Sequence, residues 1–175
     1  MIKQADQKHV VIITDDSVME RERVKCALGK ATNTNVKIYE AESKEGIVNI
    51  MDRLACDQEF PSIVILDFIL GAANGLTVTS HLRKNYPPIP IVVLGSCLGS
   101  EPNITQLYRM GVNAYMIKPQ TQAEYDTLLS SIANIWLHIP QPKWGKRKAD
   151  GLEDTRNERR RGSRRDYDRR CSSAN

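Results

Sequence analysis

Residues 10–17 read Val-Val-Ile-Ile-Thr-Asp-Asp-Ser, VVIITDDS. Five apolar or β-branched positions run straight into two carboxylates, the pattern of a strand covered on both faces whose far end reaches a polar cleft. Ser17-Val-Met-Glu20 follows with capping-box spacing, so a helix starts directly after the carboxylate pair.

The same alternation continues along the chain. Short β-rich runs lie at Val10–Thr14, Val36–Ala41, Ile63–Leu66, Ile91–Leu94 and Ala114–Ile117, each separated from the next by helix signals. Ile47, Ile50, Met51 and Leu54 give the second helix one apolar stripe. The third, roughly Leu76 to Lys84, is more weakly periodic. Ile104, Leu107 and Tyr108 mark a short fourth helix that Gly111 can end in a left-handed conformation. Thr121-Gln-Ala-Glu124 is a second capping box, and Tyr125, Leu128, Leu129, Ile132, Ile135 and Trp136 form the longest stripe. Five strands joined by helices imply right-handed crossovers and a doubly wound α/β domain with a five-stranded parallel sheet, order 2-1-3-4-5. In such folds the ligand site lies beyond the carboxyl ends of the strands, between strands 1 and 3.

Composition sets the limits. A chain of 175 residues with 41% hydrophobic content supports one ordinary core. Residues 1–142 carry 13 basic and 15 acidic side chains and residues 143–175 carry 12 and 6, so the net charge of +4 is a −2 body with a +6 tail. No apolar run of about 18 residues and no secretory signal is present, and a cytoplasmic protein is expected. Cys26, Cys56, Cys97 and Cys171 make no metal-ligand spacing and are expected to be reduced thiols; His9, His81 and His138 are equally isolated.

Three carboxylates converge at the expected site: Asp15 and Asp16 after strand 1, and Asp67 after strand 3. Like charges in one cleft repel unless a proton or cation intervenes. Mg²⁺, held by one or two carboxylates with positions left for phosphate oxygens, is the natural partner. Lys118 at the end of strand 5 would reach the same cleft and could neutralise an incoming phosphoryl oxygen.

These residues carry a resemblance. The paired aspartates at 15–16, ILD ending at Asp67, Gly75 eight residues on and Lys118-Pro119 resemble the receiver domain of bacterial two-component response regulators, of the chemotaxis-regulator type, over roughly residues 8–138. The resemblance implies that Asp67 accepts a phosphoryl group from a histidine kinase, that Asp15 and Asp16 bind Mg²⁺ together with Asp67 and the backbone carbonyl of Ile69, and that Lys118 contacts the phosphoryl group. It also implies a switch pair: a hydroxyl residue ending strand 4 and an aromatic on strand 5. Tyr115 matches the aromatic. Strand 4 departs, because Gly95 occupies the hydroxyl position and Ser96 comes one residue later, on the other face unless the strand has already ended. Tyr115 equally fits an ordinary half-buried strand aromatic. Gly71, four residues after Asp67, predicts a looser loop through FILGAANG.

A narrower likeness rests on YRMGVNAYMIKP and the closing IANIWLHIP, which resemble single-domain regulators paired with cyanobacterial phytochromes and bacteriophytochromes. It implies a stand-alone regulator, often dimeric through its last helix; Ile135, Trp136, Leu137 and Ile139 alternatively cap the protein's own core. The expected organisation is a receiver domain at 8–139 and a basic, disordered tail at 140–175 that is too polar to fold alone. Its clusters KWGKRK and RNERRRGSRR suit phosphates of nucleic acid or an anionic surface, or simply a solvated extension, and no attached DNA-binding module is expected in it.

Function therefore reads as a phosphoacceptor switch and not an enzyme, with an unphosphorylated pseudo-receiver acting as a binding module as the alternative that Gly95 favours. An aspartyl-phosphate hydrolase is disfavoured because Ile69 stands where its second Asp, the proton donor, belongs. A flavin-binding domain of this topology is disfavoured because paired carboxylates repel phosphate.

Overall fold

The computed structural model describes residues 9–32, 35–57, 59–71, 73–86, 89–96 and 104–138. Expectations for the tail, Ile139, Cys97 and Cys171 fall outside these residues. Five strands, β1 (His9–Thr14), β2 (Val36–Ala41), β3 (Ile63–Asp67), β4 (Ile91–Gly95) and β5 (Ala114–Ile117), alternate with α1 (Val18–Ala31), α2 (Lys44–Cys56), α3 (Gly75–Asn85), α4 (Ile104–Arg109) and α5 (Gln122–Trp136). The sheet order is β2-β1-β3-β4-β5 with every pairing parallel, the expected doubly wound arrangement.

Strand alternation divides the core. Val10, Ile12, Val64, Leu66, Ile91 and Val93 face α2, α3 and α4, where Ile47, Met51, Leu54, Val78, Leu82 and Leu107 meet them. Val11, Ile13, Ile63, Ile65, Val92 and Leu94 face α1 and α5, against Val24, Leu28, Tyr125, Leu129 and Ile132. Because both faces are covered, the central strands have no solvent side to carry polar residues. Each such side chain contributes roughly 1.5–3 kcal/mol by leaving water.

Helix starts follow the caps. Ser43 accepts from the Gly46 amide and Asn74 from the Thr77 amide, and Thr121 with Glu124 forms a complete capping box on α5. At α1 only half the expected box forms. Ser17 accepts from the Glu20 amide at 3.4 Å, while the Glu20 carboxylate turns instead to Arg23 and to the hydroxyl of Tyr125. Gly111 adopts φ 93° just beyond α4, as its position predicts. The segment after Asp67 carries a short pairing that its glycine alone does not announce. Ile69–Leu70 pairs antiparallel with Ala73–Asn74 around Gly71 at φ 57°, making a small hairpin that leads into α3.

Candidate functional site

β1 and β3 are neighbours, so their carboxyl ends deliver Asp15, Asp16 and Asp67 to one point, where one oxygen from each lies within 4.8 Å of the others. Asp15 and Asp67 are buried and Asp16 is exposed. Lys118 arrives from the end of β5, its amide donating to the Gly95 carbonyl at 2.7 Å. Its ammonium bridges Asp15 Oδ2 at 2.7 Å and Asp67 Oδ2 at 3.2 Å.

The electrostatics follow from burial with too few cations. The Asp67 carboxyl ends up raised to about 6: desolvation pushes it up most, Lys118 pulls it down, Asp15 pushes it up, and hydrogen bonds from Lys118 and the Ile69 amide pull it down. Burial works against the Lys118 charge too, but the hydrogen bond to Asp15 and the two carboxylates outweigh it and leave its pKa raised. Asp15 is held from three sides. Its Oδ1 accepts from the Ser17 amide at 2.9 Å, Oδ2 pairs with Lys118, and its main-chain carbonyl accepts from Arg21 Nη1 at 2.7 Å.

Three carboxylates against one ammonium leave the pocket anionic. All three donors are hard oxygens, and opposite ligands of an octahedral ion at about 2.1 Å stand about 4.2 Å apart, so a spread within 4.8 Å suits Mg²⁺ with small adjustments.

Residues 11–130 match the response regulator receiver domain family. The chain belongs to this family. It is 25% identical over 127 residues to the probable transcriptional regulator ycf27 of Porphyra purpurea, a match covering 73% of this chain and 48% of that protein. The chain thus aligns with about half the length of the curated relatives it matches. Its fold is similar to the phosphorylated cyanobacterial phytochrome response regulator RcpA, with TM-score 0.69 and 17% identity over 77% of this chain and 98% of that one. It is also similar to the Mn(2+)-bound form of response regulator Rcp1, with TM-score 0.63 and 20% identity over 76% and 97% of the two chains.

The remaining residues singled out in this receiver's sequence are placed as follows. β4 ends at Gly95, which is buried, and Ser96 is exposed just beyond the strand, so strand alternation no longer dictates its direction. Tyr115 packs half-buried on the α2–α3–α4 side of the sheet, and its amide donates to the Tyr108 hydroxyl at 3.1 Å. Ile69 turns its amide on Asp67 and leaves its side chain 56% exposed. Of the closing apolar group, Leu137 is buried, Trp136 packs on the α1–α5 core and Ile135 is exposed.

Sequence reasoning missed Arg21 and Glu40. Arg21 is buried on the first turns of α1 and donates Nε to Glu40 Oε2 at 3.2 Å as well as Nη1 to Asp15. A signal existed: Arg21, Val24 and Leu28 stand at i, i+3, i+7, so a cation sits on the apolar stripe of the helix.

Among the described residues no helix is long and apolar enough to cross a membrane.

Proposed function

We propose that this receiver is a phosphoacceptor of a two-component phosphorelay, taking a phosphoryl group from a histidine kinase on Asp67 and switching partner binding when it does so. The observation that carries the reading is the Lys118 ammonium bridging Asp15 and Asp67 in a pocket that also holds Asp16. An Asp67 oxygen forms the bond to phosphorus while the phosphorus–nitrogen bond of the donor imidazole breaks, its electron pair leaving with the nitrogen. Such a transfer needs in-line positioning and cations on the equatorial oxygens more than covalent help. Asp15, Asp16, Asp67 and the Ile69 carbonyl are the proposed Mg²⁺ ligands, and the bound ion would supply charge neutralisation at the phosphoryl oxygens. Lys118, already between the two buried carboxylates, would pair with a phosphoryl oxygen once Asp67 is modified, a role that its bond to Asp67 supports. The receiver is read as a cytoplasmic switch without turnover of its own. The proposed organisation is a receiver at 8–139 with a basic tail at 140–175 able to meet anionic partners.

The test is intact-mass spectrometry after incubation with acetyl phosphate, with and without Mg²⁺, on wild type and Asp67→Ala. A Mg²⁺-dependent gain of one phosphoryl group, absent in the variant, is expected. No gain with the protein folded would sink the reading.

That second outcome would favour a pseudo-receiver that binds partners unphosphorylated. Gly95 gives this alternative its one specific support, since the residue ending β4 has no hydroxyl to meet a phosphoryl group, and Ser96 sits exposed outside the strand.

A further inference from the structure

We propose that Arg21 is a positioning residue for the acidic pocket, fixing through one main-chain bond the direction from which both Asp15 and Asp16 meet a divalent cation. The inference rests on reading those aspartates as cation ligands.

A guanidinium at this place needs explaining. Arg21 lies in line with Val24 and Leu28 on the buried stripe of α1, where a leucine would pack without electrostatic cost. Taking an arginine out of water costs several kcal/mol unless its charge is paired and its donors are used. Both conditions are met. Glu40, from the carboxyl end of β2, meets the charge at 3.2 Å and also pairs with Lys25 at 2.9 Å, and Lys25 is paired in turn with Glu22, so the two cations and two carboxylates cancel beside the pocket. A second nitrogen, Nη1, donates to the Asp15 carbonyl at 2.7 Å.

That carbonyl belongs to the peptide linking Asp15 to Asp16. The Asp15 amide is already fixed, donating to the Ala41 carbonyl at 3.1 Å as the last rung between β1 and β2. With Arg21 on the carbonyl, the planes on both sides of the Asp15 Cα are set, and the path of the chain into Asp16 is set with them. This matters most for Asp16. Asp15 has Ser17 and Lys118 on its own oxygens, whereas among the described residues no hydrogen bond or ion pair orients the exposed Asp16 carboxylate. Backbone direction is what brings its oxygen within 4.8 Å of the other two. Groups that orient metal ligands in this way are commonly worth about 10–100-fold in metal affinity. Lysine would not serve equally, because one ammonium does not present the fork that reaches a carboxylate and a carbonyl together.

The experiment uses Mn²⁺ as probe, with binding followed by electron paramagnetic resonance on wild type, Arg21→Leu and Arg83→Leu, and amide hydrogen exchange on the metal-free proteins. Arg83 is a partly buried arginine that also holds backbone carbonyls, but at the amino ends of β4 and β5, away from the pocket. The expected result is a loss of about tenfold or more in Mn²⁺ affinity for Arg21→Leu, faster exchange at the Ser17 amide, and neither change for Arg83→Leu despite its lower stability. Mn²⁺ affinity within twofold of wild type and unchanged Ser17 protection would overturn the proposal. Should Arg21→Leu fail to fold, Arg21→Lys keeps the charge and is read by the same two measurements. A wild type that binds no Mn²⁺ would be a different failure, removing the cation-site reading itself.

Discussion

Tyr125 on α5 donates its hydroxyl to the carboxylate of Glu20 on the first turn of α1, joining residues 105 positions apart. The ring is fully buried, and burial, reinforced by the Glu20 contact, pushes the phenol pKa well above its ordinary value. Tyr125→Phe keeps the packing and removes only the donor. The expected loss is about 1–2 kcal/mol of unfolding free energy in urea, with the acidic pocket unaffected. An unchanged midpoint would mean that the α1–α5 contact rests on apolar packing alone.

The Asp67 carboxyl should titrate near pH 6 in the metal-free protein, readable by carbon NMR of the side chain. A folded-state value raised above 3.8 means that the native protein holds this proton more tightly than the unfolded chain does. Its contribution is therefore favourable below the unfolded value and is lost as pH climbs toward 6. Asp67→Asn should consequently be the more stable protein at pH 7.5, by roughly 1–3 kcal/mol, with the difference shrinking below pH 4. Adding Mg²⁺ to wild type should drive the carboxyl pKa back down. A variant equally or less stable at pH 7.5 would contradict this assignment.

Gly75 opens α3 against the backbone of Phe68, donating its amide to the Phe68 carbonyl at 2.6 Å. A Cβ there would stand 3.2 Å from the Phe68 ring and 3.3 Å from its Cα. Because Phe68 follows Asp67 directly, Gly75→Ala should displace the Asp67 carboxylate by a few tenths of an ångström. The expected signature is about 1–2 kcal/mol of lost stability together with weaker Mn²⁺ binding. Stability loss with unaltered metal affinity would show that the hairpin absorbs the shift.

Arg83 closes the other end of the sheet. It donates to the carbonyls of Ile89 and Gly111 at 2.6 Å each and to Asn113 Oδ1 at 2.9 Å, while Asn113 Oδ1 also accepts from the Ile91 amide. Arg83→Leu is expected to cost about 2–4 kcal/mol, since it strips donors from several acceptors at once. Gly111→Ala is expected to cost about 1–2 kcal/mol from its φ of 93°, and its Cβ would crowd Arg83 Nε at 3.1 Å. Sharing that contact, the two substitutions should be non-additive in a thermal-denaturation cycle. Strict additivity would separate the turn from the clamp.

The strands were legible because burial on both faces leaves a run such as Val10–Ile13 with no polar position, and the fold class follows from five runs of apolar and β-branched residues. Asp15, Asp67 and Lys118 were legible because each directly ends a strand of that sheet. The Ser17–Glu20 spacing located the start of α1 but not the partners, since the Ser17 amide goes to Asp15 and the Glu20 carboxylate to Tyr125. Arg21 and Glu40 were not found because their meeting depends on the pairing of β1 with β2, which no local spacing encodes. The hairpin after Asp67 was hidden for a related reason. Gly71 announces freedom, and only the pairing of Ile69 with Asn74 shows where that freedom is used.

The bond between the Tyr108 hydroxyl and the Tyr115 amide bears on solubility. β5 is an outer strand, and outer strands offer amides on which a second chain can extend the sheet. By occupying one of those amides, a side chain from α4 blunts the margin against growth into larger aggregates. The placement of a six-residue helix thereby helps decide whether an open sheet stays one molecule wide.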